Sequence, residues 1–167
     1  MYILPKRRAS CCPSSNQSPG DVDGGDLPVV DDGNLKVEHL RQLLKSLEGK
    51  ELPYGSFSRD IGDKKSVDCV LHFCDVSEAT IEGGVGVYVI HLVGNRFLKR
   101  MVRILVSTLV HEAIVLSNNQ REGDDSTHKY RRMVELAEAG DKMMTQTAAP
   151  PVGLCMVGVG YHSYPEA

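Results

Sequence analysis

The stretch GNRFLKRMVR (residues 94–103) separates two segments of different periodicity, and these two segments decide the fold class. Before it, Val85–Val93 is a β-branched run with apolar residues on both faces, which predicts a central strand. From Arg96 to about Val115, apolar residues recur at helical spacing, and Asn95 is suited to cap this helix. The predicted helix therefore begins with four cations, at Arg96, Lys99, Arg100 and Arg103.

Upstream of this stretch, the pattern predicts a helix and a hairpin. Apolar residues spaced by three and four between Val37 and Leu47 predict a helix that Asn34 caps and Gly49 ends in a left-handed turn. Ser66–Val76 alternates as a strand, and Gly83-Gly84 makes a turn into the strand that follows. The face predicted to be buried carries Val67, Cys69, Leu71 and Phe73.

Downstream, the pattern predicts a helix over His128–Ala139 that Gly140 stops, a turn at 150–153 and a last strand over Leu154–Tyr161. The order of elements predicts an α+β fold with a mostly antiparallel sheet flanked by helices. We place this domain at residues 35–167. Residues 1–34 would contribute a short strand remnant at 1–4 and then a disordered, low-complexity loop rich in Ser, Pro, Gly and Asp.

Composition excludes several classes of protein. The formal charge is -3, and no run of about 18 apolar residues suggests a transmembrane helix, so we expect no membrane partner. No apolar region near the start suits a signal peptide, so we expect an intracellular protein whose compartment is not distinguished. Cys69 and Cys74 are five residues apart on one strand, which predicts opposite faces and reduced thiols.

No metal or phosphate motif is complete. His111-Glu112 begins like a zinc-protease motif, but Val115 stands where the second histidine belongs. Gly83-Gly84-Val85-Gly86 precedes a strand instead of a helix, so it is not a phosphate-binding loop. We expect no metal and no cofactor.

Four cations at the start of a helix are unfavourable, because positive charge near a helix N-terminus opposes the helix dipole. Their placement therefore indicates a role other than stabilising the helix. Their spacing of three and four predicts a stripe on one helix face. Two interpretations remain open from chemistry alone. The stripe is either a solvated basic face or a binding surface for an extended polyanion such as RNA.

Three segments resemble the TruA-type tRNA pseudouridine synthase family. Residues 95–103 resemble its N-x-F-L-h-h-M-V-R stretch, and residues 147–157 (TAAPPVGLCMV) resemble its T-A-P-x-x-G-L-Y-L-V ending. Leu47–Gly49 with Tyr54-Gly55-Ser56-Phe57 resembles L-x-G-x-H-D-F-x-S-F, and Tyr2-Ile3-Leu4 resembles the opening of the family's second half. The resemblance covers roughly Leu35–Tyr161 and implies the C-terminal domain of the family.

The resemblance implies isomerisation of uridine to pseudouridine in tRNA without an organic cofactor. The family's catalytic Asp lies in a G-R-T-D motif that this sequence lacks. We therefore expect a half-enzyme that is inactive alone and works with a catalytic N-terminal half, as a fragment, a truncated gene product or a degenerate paralogue. The alternative is a non-catalytic module for RNA binding or homodimerisation. A third hypothesis is a truncated product without function.

The resemblance also assigns roles to single residues. Arg103 would pair with the catalytic Asp, Tyr2 would stack near the target base, and Leu154 would form an apolar wall of the uracil site. Contacts to RNA would come from Arg96, Phe97, Lys99 and Arg100. Departures from the family pattern occur at Cys155, where Tyr is usual, at Lys99 and Arg100, where His-like residues are usual, and at Pro53-Tyr54-Gly55.

Overall fold

The computed structural model describes residues 1–7, 30–31, 35–59, 66–118 and 129–160, with backbone alone for residues 5–7 and 30–31. Most of the predicted loop before Leu35 and most of the polar segment at 117–127 lie outside these ranges, as does Asn34. The prediction that Asn34 caps the first helix was wrong, because Lys36 occupies the N-cap position. The elements are β1 (Tyr2–Arg7), β2 (Val30–Asp31), α1 (Val37–Lys45), β3 (Glu51–Pro53), β4 (Asp68–Ile81), β5 (Val85–Gly94), α2 (Met101–Asn118) and α3 (Arg132–Ala139).

The strands form one sheet in the order β2-β1-β5-β4-β3. Strands β1, β5, β4 and β3 are antiparallel to their neighbours, while the short β2 runs parallel to β1. The prediction of an α+β fold with a mostly antiparallel sheet is confirmed. The predicted hairpin is also confirmed, since β4 pairs along β5 and the turn between them uses Gly83 and Gly84 at φ of 86° and 74°.

The hydrophobic core lies between one face of this sheet and the helices. Helix α1 buries the predicted apolar stripe, with Leu40, Leu43 and Leu44 fully covered. In β4 and β5 the paired residues Cys74 and Leu92 face the core. Gly49 adopts the predicted left-handed conformation at φ of 72°, but it does not end α1, which stops at Lys45 with Ser46 as its C-cap. The N–H of Gly49 donates to the carbonyl of Leu71 at 2.8 Å.

A β-bulge at His72 changes which positions of β4 face the core, from odd-numbered residues before it to even-numbered residues after it. Leu71 pairs with Gly94 and Phe73 pairs with Val93, so β4 has one extra residue there. Cys69 and Leu71 before the bulge are buried, and so is Cys74 after it, whereas Phe73 is 46% exposed. The prediction that Cys69 and Cys74 lie on opposite faces was therefore wrong, as was the placement of Phe73 in the core. Both thiols are free, and burial raises the pKa of Cys74 to about 12.

Helix α2 begins at Met101, five residues later than predicted. Asn95 does not cap it, because its backbone N–H donates to the carbonyl of Val70 at 3.1 Å and its Oδ1 accepts from the N–H of Val70 at 3.0 Å. Asn95 therefore continues the pairing with β4. Contrary to expectation, α2 has the length and apolarity of a membrane-spanning helix. A core helix meets the same criteria, and half of α2 is buried inside the protein.

The C-terminal part also differs from the prediction. Gly140 ends α3 at φ of 66°, as predicted, but α3 begins at Arg132. The predicted final strand over Leu154–Tyr161 was wrong for residues 154–160. Leu154 makes one antiparallel bridge with Tyr2 and Cys155 exchanges backbone hydrogen bonds with Met1, but among the described residues no strand pairs with residues 156–160.

His39 of α1 makes the stability of the fold depend on pH. Its ring is buried, and Nδ1 lies 2.9 Å from the hydroxyl oxygen of Tyr130. Burial lowers the pKa of His39, and nearby Lys129 and Lys36 lower it further, against a smaller opposite effect of Glu38. Since the pKa is depressed in the folded state, His39 contributes stability above the unfolded pKa of about 6.5 that is lost as pH falls towards the folded value.

We predict that His39→Gln reduces the loss of unfolding free energy between pH 7 and pH 5, because Gln does not titrate. Urea unfolding at several pH values measures this slope. His111→Gln is the matched control, since the His111 side chain is 51% exposed. Equal pH dependence in the native chain and His39→Gln would contradict the prediction.

Candidate RNA-binding and catalytic site

Residues 145–150, which we call the strap, run antiparallel along the N-terminal half of α2. Thr145 anchors its start, because its hydroxyl donates to the carbonyl of Ser56 at 3.0 Å. Further hydrogen bonds fix its register on α2, from Gln146 N to Thr108 Oγ1, from Ser107 Oγ to Thr147 O, and from Ala149 N to Arg103 O. The strap therefore reaches the first turn of α2 at Arg103.

The side chain of Arg103 is held by the strap. Its Nε donates to the carbonyl of Ala149, while the backbone carbonyl of Arg103 accepts from the N–H of Ala149. Arg103 is half-buried. Within the described part of the chain, its two terminal guanidinium nitrogens have no hydrogen-bond or ion-pair partner. One nitrogen, Nε, therefore orients the side chain of Arg103. The two terminal nitrogens remain available to bind a carboxylate.

Tyr2 supports the far end of the strap. Its ring is fully buried, and its hydroxyl donates to the carbonyl of Pro150 at 2.7 Å. Burial raises the pKa of Tyr2, while the charge of Arg103 lowers it, so the two side chains are close enough to interact. A Cβ on Gly153 would lie 2.9 Å from the Tyr2 ring, so the chain after the strap packs directly on that ring.

Leu154 lies beside Tyr2. The two residues form the antiparallel bridge between β1 and the C-terminal segment, and Leu154 is 43% exposed. The structure therefore brings Arg103, Tyr2 and Leu154 to one region, although Tyr2 and Leu154 are distant in the chain. Their roles towards a base stay predictions. The ring of Tyr2 is covered by protein, whereas Leu154 presents an apolar surface.

The remaining predicted residues lie in residues 95–100, which we call the basic turn. The prediction of one helical stripe was wrong, because the chain is not helical before Met101 and Arg100 has φ of 63°. Arg96 donates to the carbonyl of Ser66 at 2.8 Å, and Phe97 is 43% exposed. Arg96, Lys99 and Arg100 therefore precede the helix, and Arg103 alone of the four cations lies on it.

Arg59 adjoins the basic turn and was missed from the sequence. Its backbone N–H donates to the carbonyl of Lys99 at 3.4 Å, and the hydroxyl of Ser58 donates to the same carbonyl at 3.0 Å. These contacts join residues about 40 positions apart and do not involve the side chains of Arg59 or Lys99. The available signal was a cation two residues after Phe57 of the Tyr54–Phe57 segment, and the sequence distance of this segment from the basic turn does not indicate contact.

A family model described as tRNA pseudouridine synthase matches residues 43–162, which is most of the chain. The chain belongs to the tRNA pseudouridine synthase family. The match includes the basic turn, Arg103, the strap and Leu154, and it is consistent with a C-terminal domain of the family. Tyr2 and β1 lie outside the matched range. A search of curated proteins found no match.

The cations of this pseudouridine synthase domain fall into two groups. Three cations of α1 and α3 are ion-paired, Arg41 with Glu38, Lys45 with Glu48 and Arg132 with Glu112. Among the residues that the structure describes, none of these ion pairs involves the arginines at the site, Arg59, Arg96, Arg100 and Arg103. Positive charge at the site is therefore not neutralised by described protein carboxylates.

The described residues of the pseudouridine synthase domain contain no group of three or more His, Cys, Asp or Glu side chains placed to hold a metal ion. The functional groups of the site are therefore hydrogen-bond donors. They are the guanidinium groups of the basic turn and that of Arg103, which the strap holds. Such donors bind phosphates and carboxylates.

Proposed function

We propose that this chain is the C-terminal part of a TruA-type tRNA pseudouridine synthase that binds tRNA and presents Arg103 to the catalytic aspartate of an N-terminal half. The observation that carries the proposal is the position of Arg103. The strap fixes Nε, and the terminal guanidinium nitrogens remain available at a half-buried site. A carboxylate bound there would stay ionised and oriented.

The chain itself supplies no aspartate in the required motif. We therefore expect no isomerisation by this chain alone and activity when a half carrying the G-R-T-D segment is added, either as a separate polypeptide or joined upstream. Action on tRNA also implies an intracellular location.

The test is a tRNA pseudouridylation assay with four samples: this chain, a catalytic N-terminal half, the two mixed, and a fused form. Pseudouridine is detected by chemical labelling of the RNA. We expect product only from the mixed and fused samples. Product from this chain alone would show that another group acts as the catalytic carboxylate and would refute the proposal.

The second candidate function is a non-catalytic module that binds RNA or forms a homodimer. Among the described residues no carboxylate pairs with the arginines of the basic turn, which favours RNA binding. This candidate predicts tRNA binding with steep salt dependence and no product in the mixed and fused samples. Sedimentation of the chain alone would test the homodimer.

A further inference from the structure

We infer that Arg59 and Arg100 form a preset binding site for neighbouring phosphates of single-stranded RNA, with the ring of Phe97 as the stacking surface for an unpaired base. The inference rests on the proposed function in taking tRNA as the polyanion. The role of Arg59 comes from the geometry, because no motif of the sequence pointed to it.

The carbonyl of Lys99 organises the site. It accepts two hydrogen bonds, from the hydroxyl of Ser58 and from the backbone N–H of Arg59. The peptide that leads into Arg100 is therefore fixed on the segment that carries Arg59. This anchoring holds Arg100 in the left-handed backbone conformation, which an arginine rarely adopts unless its surroundings impose it.

Both arginines keep donors available. Arg59 uses Nη1 for the carbonyls of Ser56 and Ser58, at 3.4 and 3.3 Å. Its Nε and Nη2 have no partner in the part of the chain that the structure describes. Arg100 is exposed, and the described residues offer its guanidinium no hydrogen bond or ion pair. The two groups can therefore bind phosphates without breaking an existing ion pair.

Phe97 adds the aromatic surface that distinguishes single-stranded RNA from a simple anion. Its Cζ lies 3.3 Å from where a Cβ on Gly94 would be, so the ring rests against the end of β5 at a glycine. The ring is 43% exposed. Proteins that bind single-stranded RNA combine such an aromatic ring with neighbouring cations, because unpaired bases stack on the ring while phosphates meet the cations.

The experiment measures the affinity of the chain for tRNA by fluorescence anisotropy over a series of KCl concentrations. Each phosphate contact contributes about 0.7–0.9 to the slope of log affinity against log salt. We expect Arg59→Gln and Arg100→Gln each to reduce the slope by this amount. Phe97→Leu should weaken binding about 5-fold to 150-fold with an unchanged slope, since stacking releases no counterion.

Two further variants separate charge from folding. Arg100→Gly removes the guanidinium and introduces a residue that adopts the left-handed conformation without strain. This variant should therefore fold normally and show the same reduction in slope as Arg100→Gln. Arg132→Gln is the matched control, because Arg132 is ion-paired with Glu112 and Glu135 and lies outside the basic turn in sequence. Its slope should equal that of the native chain.

The binding data decide this inference separately from the proposed function. Slopes equal to the native value in Arg59→Gln and Arg100→Gly would overturn the inference. An absence of salt-dependent tRNA binding by the native chain would also overturn it, even if the mixed samples make pseudouridine. Reduced slopes without product in the mixed and fused samples would uphold this site and refute the proposed catalytic partnership.

Discussion

Arg103→Ala is expected to lower the turnover of the combined enzyme halves about 10²- to 10³-fold, the size observed when one preorganised donor group is removed from an active site. The side chain is held in place by Ala149, and its terminal nitrogens would bind the partner's carboxylate. Loss of the guanidinium would leave that carboxylate without its positive partner. Arg103→Lys should recover only part of the activity, because lysine keeps the charge but lacks the planar fork.

The measurement is kcat and KM for tRNA pseudouridylation by the mixed halves. We expect the loss in kcat, since Arg103 acts on the catalytic group, with tRNA affinity affected far less. Arg132→Ala is the matched control, because it removes an arginine from α3 that is already paired with protein carboxylates. A native kcat in Arg103→Ala would mean that Arg103 only supports the strap.

Gly153→Ala should reduce the free energy of unfolding by about 1–3 kcal/mol, the usual cost of overpacking a close contact. The added Cβ would lie 2.6 Å from the carbonyl oxygen of Ile3 and 2.9 Å from the ring of Tyr2. Neither neighbour moves easily. Ile3 is paired with Val89 in the sheet, and Tyr2 is fully buried with its hydroxyl bonded to Pro150.

Thermal and urea unfolding measure the effect of Gly153→Ala, and Gly158→Ala is the control. Nothing lies within 4 Å of a Cβ at Gly158, so that change adds a methyl group in open space. Unchanged stability of Gly153→Ala would show that the C-terminal segment moves away from β1 at little cost. The same variant should also lower the activity of the mixed halves, because the segment carries Leu154 and follows the strap.

The sequence predicted the elements of this fold better than their ends. Alternation and helical spacing located α1, the β4–β5 hairpin and α3, because each has one buried face. The start of α2 was wrong because residues 96–100 have helical spacing of charges but no helical backbone. Hydrogen bonds from Ser58 and Arg59 to the carbonyl of Lys99 bind that segment to a distant part of the chain. Tertiary contacts of this kind leave no periodic signal.

The candidate site was partly predictable. The motif around Arg103 identified the residue that the strap holds, but the sequence did not show that the ring of Tyr2 is covered or that Gly153 packs on it. These facts depend on Met1–Leu4 and residues 147–154 meeting from opposite ends of the chain. Arg59 was missed for the same reason, since its neighbour in space is about 40 residues away in sequence.

The bulge at His72 lets β4 carry one more residue than its partner strand without exchanging its buried and exposed faces. Deleting this one residue would restore regular alternation and leave the faces unchanged, because Leu71 and Cys74 would then be two positions apart with the exposed Phe73 between them. Substitution at His72 changes only an exposed side chain. Position 72 can therefore vary in identity or be lost during evolution, whereas a one-residue deletion between Cys74 and Val76 would exchange the buried and exposed faces of β4 beyond it.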